Sequence, residues 1–265
     1  MKQESPSEYI NKHTIGETVD EEKIKRAKEA LSKPIGEVKW AESGIIKVEN
    51  IPFVMEFSYV PISEEIAKSI WQDPRRKNIN LDTLREITTW TLTREDNGAT
   101  LSLSDILPEG YRVFFSTVAQ DGSSYVVMDE SGGTVVLNAE ITKPEMIIHL
   151  LHEAGHVHEK TDEMRFSPTN NPDVSSKVYK GDLAVKLLSE RNAWAYALRR
   201  LKPFVDQEPT SGFSIQKNDV LTLANNWALK SYQDSIKDET SSRVAMSHFN
   251  QDYDYMFEDS DRFES

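Results

Sequence analysis

The pattern of hydrophobic and polar residues divides the chain into a middle part of short strands and a later part of long helices. Runs rich in β-branched and aromatic residues occupy 111–119, 124–129 and 134–138. Asp121-Gly122 and Gly132-Gly133 separate these runs, as tight hairpin turns require. The middle of the chain therefore predicts a three-stranded antiparallel sheet in which each strand pairs with the next.

Apolar residues spaced three or four positions apart predict helices on both sides of this sheet. These helical patterns cover residues 21–33, 63–71, 81–92, 144–160, 182–202 and 218–236. Residues 45–60 alternate loosely and suit a strand or a hairpin. The predicted fold class is α+β, with a small antiparallel sheet packed on two long helices.

Charge and composition exclude several functional classes. The chain of 265 residues has 31 Lys and Arg against 44 Asp and Glu, so its formal net charge is −13. Nucleic-acid binding needs a basic face, and the nearest basic run is only Arg75-Arg76-Lys77, so we expect no direct nucleic-acid binding. No apolar run approaches the roughly 20 residues of a membrane span, and we expect no membrane association.

The absence of cysteine and the scarcity of histidine restrict the available chemistry. The chain has no cysteine and six histidines, so disulfides and thiolate ligands are excluded. The first residues lack the apolar segment of a signal peptide, and together with the lack of disulfides this predicts a cytoplasmic protein. Any bound metal must be held by His, Asp or Glu.

One short segment contains most of the histidines. His149, His152, His156 and His158 lie within ten residues, and His152-Glu153-x-x-His156 is the HExxH pattern of zinc metallopeptidases. On a helix, residues i and i+4 project from one face, so two imidazoles can bind one zinc ion. Glu153 then lies beside the water that the ion activates and can accept its proton.

The residues around this motif divide into two helix faces. The apolar face consists of Ile147, Leu150, Leu151 and Ala154. His149, His152 and His156 fall on the opposite face, whereas His158 falls on the apolar side and is not predicted to be a ligand. His149 is expected to contact the ligands or the rim of the cleft.

Two residues compete for the role of third ligand. Glu190 is followed at helical spacing by Ala193 and Ala197, and such small residues would allow its helix to approach the HExxH helix closely. Asp162 lies ten residues after His152, where metzincins place their third ligand, but that pattern requires a glycine where this chain has Glu159. Glu190 is the preferred candidate, and Asp162 remains the alternative.

Residues 111–203 resemble the ImmA/IrrE-like metallopeptidases. The resemblance rests on a strand, the HExxH helix, and a later helix with Glu190, Ala193, the Tyr196-Ala197 pair, Leu201 and Pro203. It implies a zincin-like fold, with His152, His156 and Glu190 as zinc ligands and Glu153 as general base. Members of this family are associated with cleaving or inactivating repressor-type regulators.

The expected activity is zinc-dependent hydrolysis of peptide bonds in a protein or peptide substrate. A DNA-binding regulator is the expected kind of partner, because an acidic surface suits a basic or neutral protein. The substrate backbone is expected to add as a strand beside residues 134–138. Tyr179 and His149 are candidate donors to the developing oxyanion.

The sequence predicts four segments along the chain. They are an N-terminal region of unknown role (1–80), the zincin-like domain (81–210), a helical extension (211–249) and an acidic tail (250–265).

Two other functions stay open: a zinc-binding regulator that acts through protein–protein contacts without catalysis, and a metal-free interaction protein.

Overall fold

The computed structural model describes residues 21–63, 65–66, 81–118, 124–129, 132–137, 140–166, 183–208, 210 and 212–224. Most of the helix predicted at 63–71, the C-terminal helix beyond residue 224, the acidic tail and Tyr179 lie outside the described residues. Within the described part of the chain, no helix is both long enough and apolar enough to cross a membrane.

The described residues form a mixed α and β fold, as the sequence predicts. Helices α1 to α5 cover Glu21–Leu31, Leu103–Ile106, Pro144–Phe166, Leu183–Leu201 and Lys217–Leu221. Strands β1 to β7 cover Gly44–Asn50, Phe53–Pro61, Leu84–Arg94, Ala99–Ser102, Tyr111–Ser116, Tyr125–Asp129 and Gly132–Leu137. Both long helices, α3 and α4, occur where the apolar spacing places them.

The strands join into one sheet whose order differs from the predicted one. The order is β1-β2-β3-β5-β7-β6, and β4 pairs with β3. Strand β7 lies between β5 and β6, parallel to β5 and antiparallel to β6, so the prediction of three successive antiparallel strands is wrong. Val135, Val136 and Leu137 are all fully buried, as expected of a strand that is covered on both faces and paired on both edges.

Residues 84–94 form strand β3 and not the predicted helix. Ile87 and Trp90 are three residues apart and both buried, a spacing that mimics helical periodicity. The register shifts opposite Ser58 and Tyr59, where Ser58 pairs with Thr89 and Tyr59 with Ile87. This bulge leaves one extra residue in β3, so two residues three positions apart share one face of the sheet.

The sheet extends across the predicted boundary at residue 80. Strand β2 pairs with β3 from Phe53↔Arg94 to Pro61↔Arg85, and β1 pairs with β2 along its whole length. Residues 44–61 therefore belong to the same sheet as the strands that precede the HExxH helix. The sequence placed these residues in a separate region because strand pairing leaves no local signal.

The main core lies between the sheet and helices α3 and α4. Its members include large side chains from both layers, among them Phe57, Trp90, Phe115, Leu150, Trp194 and Phe204. The other face of the sheet buries Leu84, Phe114 and Val136 under Ile62 and Ile66. Because the first core covers the apolar side of α3, the opposite side of that helix is free to carry polar chemistry.

Two contacts fix the chain next to the long helices α3 and α4. The backbone N–H of Ile35, just after α1, donates to the carbonyl of Thr142, just before α3, at 2.9 Å. Beyond α4, the carboxylate of Asp206 accepts from the guanidinium of Arg94 in β3 at 2.5 Å. Each contact ties the chain next to a long helix to another part of the fold.

Candidate metal centre

Helix α3 presents two imidazoles from neighbouring turns. The ring centroids of His152 and His156 are 4.7 Å apart, and the ring planes meet at 79°. The opposite face of the helix is fully buried, as the apolar pattern predicts. Its buried residues are Ile147, Leu150, Leu151 and Ala154. Hydrophobic burial therefore fixes the rotation of α3 and turns both imidazoles to the opposite side of the helix, where they meet Glu190.

Helix α4 brings a carboxylate to these two rings. Glu190 Oε2 lies 3.3 Å from His152 Nε2 and 3.5 Å from His156 Nε2. Among the described residues, these three side chains form a group that could hold a metal ion, because their ligand atoms all lie within 4.8 Å of one another. Glu190 and His152 are each 8% exposed, so the group is buried inside the fold.

These distances suit a tetrahedral zinc ion. Zn–N and Zn–O bonds of about 2.0–2.1 Å at tetrahedral angles separate adjacent ligand atoms by about 3.3 Å. The two Nε2–Oε2 distances are close to this value, and two imidazoles with one carboxylate form a donor set that zinc accepts. The chain therefore offers three donors, and a fourth position would remain for water or substrate.

A glycine allows the two helices to approach so closely. A Cβ added at Gly155 would lie 2.6 Å from both the Cα and the carbonyl oxygen of Ala193. Ala193 and Ala197 are fully buried in this interface, in agreement with the small residues noted after Glu190. Close backbone approach is what lets a glutamate on α4 reach two histidines on α3.

Glu190 is an anion in this environment. Burial by itself would raise the pKa of Glu190, but hydrogen bonds and charge from His152 and His156 outweigh burial and hold that pKa well below its ordinary range. An ionised carboxylate is the form that ligates a metal ion.

Glu153 is buried beside this group and is 7% exposed. Burial raises the pKa of its carboxyl group, His152 and His156 act to lower it, and Glu190 adds to the increase. A carboxylate with a raised pKa holds a proton more readily, which suits a residue that must accept a proton and later return it.

His149 and Trp194 lie beside the three-residue group at His152. The Trp194 indole lies 4.5 Å from the His152 ring at an interplanar angle of 34° and meets His149 edge-on at 6.4 Å. Burial, followed by the positive charges of His152 and Lys28, lowers the pKa of His149 to about 4. His149 is therefore neutral near pH 7 and lies next to the three-residue group without belonging to it.

His158 contributes to the framework. Its Nε2 atom lies 2.9 Å from the carbonyl oxygen of Ile106, and the Tyr196 hydroxyl donates to the same oxygen at 3.3 Å. The two rings stack with centroids 4.7 Å apart. The Ile106 carbonyl at the end of α2 thus contacts both long helices. Its partner on α3, His158, is two residues after His156, and its partner on α4, Tyr196, is six residues after Glu190.

The backbone path of α3 bears on the alternative third ligand. The helix continues through residue 162 to Phe166, so the chain does not make the turn that follows the second histidine in metzincins. Six further helical residues place Asp162 about 9 Å beyond His156 along the helix axis. This separation disfavours Asp162, whereas Glu190 is already within reach of both imidazoles.

Sequence reasoning did not identify Trp194 or the carbonyl of Ile106. Trp194 stands four residues after Glu190, so an aromatic residue on the same face of α4 was the available signal. Nothing in the sequence marks the Ile106 carbonyl, because it is a backbone atom brought near by the tertiary fold.

Comparisons with known protein families, with curated proteins and with solved structures give no significant match.

Proposed function

We propose that this chain is a zinc metallopeptidase of zincin-like fold that hydrolyses peptide bonds in a protein substrate. The observation that supports this most strongly is the meeting of His152, His156 and Glu190 at 3.3 and 3.5 Å, with Glu153 buried beside them. A HExxH pair alone is a sequence motif, whereas a carboxylate from a second helix at ligand distance makes a three-donor site.

Each side chain has a defined role in the proposed reaction. When bound, zinc would supply Lewis-acid chemistry, which activates a water molecule and polarises the scissile carbonyl. His152, His156 and Glu190 hold the ion. Glu153 accepts the proton from the attacking water and returns it to the leaving amine. Burial of Glu153 keeps bulk water from competing for that proton.

The sheet edge beside α3 is the proposed binding site for the substrate backbone. Strand β7 at 132–137 has β5 on one side and β6 on the other, so the expectation that a substrate strand adds directly beside residues 134–138 is wrong. Among the described strands, β6 is the edge strand on this side, and α3 packs against both β6 and β7. An extended peptide that adds to the outer edge of β6 would use backbone hydrogen bonds.

A basic or neutral protein is the proposed substrate class. The net charge of −13 favours association with positively charged partners, and a DNA-binding regulator of the repressor type has that character. The resemblance to ImmA/IrrE-like metallopeptidases supports the same choice.

A Glu153→Gln variant tests the proposal. The variant keeps the shape of the side chain but cannot accept a proton, so we expect normal zinc binding together with loss of the cleavage product in a proteomic comparison of cells. Glu109→Gln is the matched control, because Glu109 is exposed and should keep full cleavage. Unchanged biological activity of Glu153→Gln with zinc bound would favour the non-catalytic regulator instead.

A further inference from the structure

Among the described residues, no group accepts a hydrogen bond from the second ring nitrogen of His152. This atom, Nδ1, is buried. Metal-binding histidines almost always donate their second ring N–H to a carboxylate, a carbonyl or water, and this bond fixes the ring orientation and the tautomer. Within the described part of the chain, an aromatic contact can take over this orienting role.

Among the described residues, Trp194 has the aromatic ring closest to that imidazole. The ring centroids are 4.5 Å apart and the planes are tilted by 34°, at the short end of the separations found for aromatic pairs. Trp194 is 2% exposed, so the indole is held in the core and cannot turn aside. It lies four residues after Glu190, so one face of α4 carries both the carboxylate and the indole.

The position of α4 makes this contact rigid. The backbone of Ala193 packs directly against Gly155, and residue 193 immediately precedes the tryptophan. The contact of Ala193 with Gly155 fixes the backbone next to the indole, and burial of Trp194 opposes rotation of its side chain. The indole therefore limits rotation of the imidazole about its Cβ–Cγ bond and keeps Nε2 directed at Glu190.

We propose that Trp194 is a positioning residue for the metal ligand His152, and that its indole replaces the usual acceptor at Nδ1. This inference rests on the proposed zinc site. It assigns Trp194 no contact with the substrate or with the reacting atoms. Its consequence is that metal affinity depends on an aromatic ring at residue 194.

Zinc affinity of three variants tests the proposal. Metal-free protein is titrated with zinc against a chromophoric chelator, and folding is checked by circular dichroism. Trp194→Leu removes the aromatic face and should weaken zinc binding by about 10–100-fold, the effect typical of losing a partner that orients a ligand. Trp194→Phe restores a ring and should bind zinc nearly as well as the wild type.

Leu198→Ala is the matched control for lost packing. Leu198 is one turn further along α4 and is 1% exposed in the core, so its truncation weakens packing on the same helix without touching His152. We expect its zinc affinity to match the wild type. Equal weakening in Leu198→Ala and Trp194→Leu would overturn the proposal, because it would show a general effect of packing.

The remaining outcomes separate this inference from the proposed function. Wild-type protein that binds no zinc overturns the metal centre and this role with it. Wild-type protein that binds zinc, with a folded Trp194→Leu of equal affinity, overturns only the role of Trp194. Should Trp194→Leu fail to fold, ¹⁵N NMR of the wild type decides: a strongly downfield Nδ1 proton on His152 would reveal an acceptor and overturn the proposal, and its absence would support it.

Discussion

The backbone of Ala193 in α4 lies so close to Gly155 in α3 that a side chain at residue 155 would overlap it: an added Cβ would lie 2.6 Å from the Ala193 Cα. This contact sets the distance between the helix that carries both histidines and the helix that carries Glu190. A change in the contact should therefore alter both stability and metal binding.

Gly155→Ala should separate the two helices. We expect a loss of about 1–3 kcal/mol in the free energy of unfolding, typical of overpacking a core, and weaker zinc binding because Glu190 moves away from the imidazoles. Urea denaturation and zinc titration measure the two effects. The added methyl group meets Ala193 backbone atoms, so Gly155→Ala combined with Ala193→Gly should not recover the wild type; full recovery would contradict the observed contact.

Zinc should stabilise the folded chain through Glu190. At a zinc concentration one hundred times its Kd, the free energy of unfolding should rise by about 2.7 kcal/mol, because the ion binds the folded state. Glu190→Ala should lose this gain, measured by chemical denaturation with and without zinc. Asp162→Ala should keep it, and the reverse result would identify Asp162 as the third ligand.

Acid should destabilise the metal-free protein in part through His149. The folded-state pKa of about 4 lies below the ordinary value of 6.5, so between these values the unfolded chain binds a proton that the folded chain does not. Stability from this group is complete above pH 6.5 and is lost as the pH falls towards 4, by at most about 3 kcal/mol.

The variant His149→Gln isolates this contribution. Urea denaturation of both proteins across this pH range should show a steeper fall for the wild type than for the variant. Parallel pH profiles would mean that the neutral form of His149 is not favoured by folding.

The two carboxylates that bind Arg94 should differ in their effect on stability. Asp206 is 6% exposed and lies 2.5 Å from the guanidinium, whereas Asp96 is about half exposed. Asp206→Asn should cost about 1.5–3 kcal/mol, the value of a hydrogen bond to a charged group, because the buried contact is lost while Arg94 keeps Asp96. Asp96→Asn should cost about 0–1 kcal/mol, because water screens the exposed pair. Thermal denaturation measures both, and equal costs would contradict the burial difference.

The sequence by itself determined the features that depend on neighbouring residues in the chain. The helical period of α3 separates an apolar face from the histidine face. The structure has the same division, because Ile147 and Leu151 are buried and their burial fixes the rotation of the helix. The absence of cysteine restricted possible ligands to His and carboxylates. The small residues after Glu190 also indicated a close helix pair.

Only the tertiary structure decided which distant residues meet. Ile87 and Trp90 have helix-like spacing but lie in strand β3, where a bulge opposite β2 places both on one face of the sheet. Strand β7 lies between β5 and β6. These outcomes depend on pairing between separate segments, which no local period encodes. The HExxH motif marks His152 as a candidate ligand from local sequence alone. Its contact with Trp194 depends instead on two separate helices, which Gly155 and Ala193 bring together.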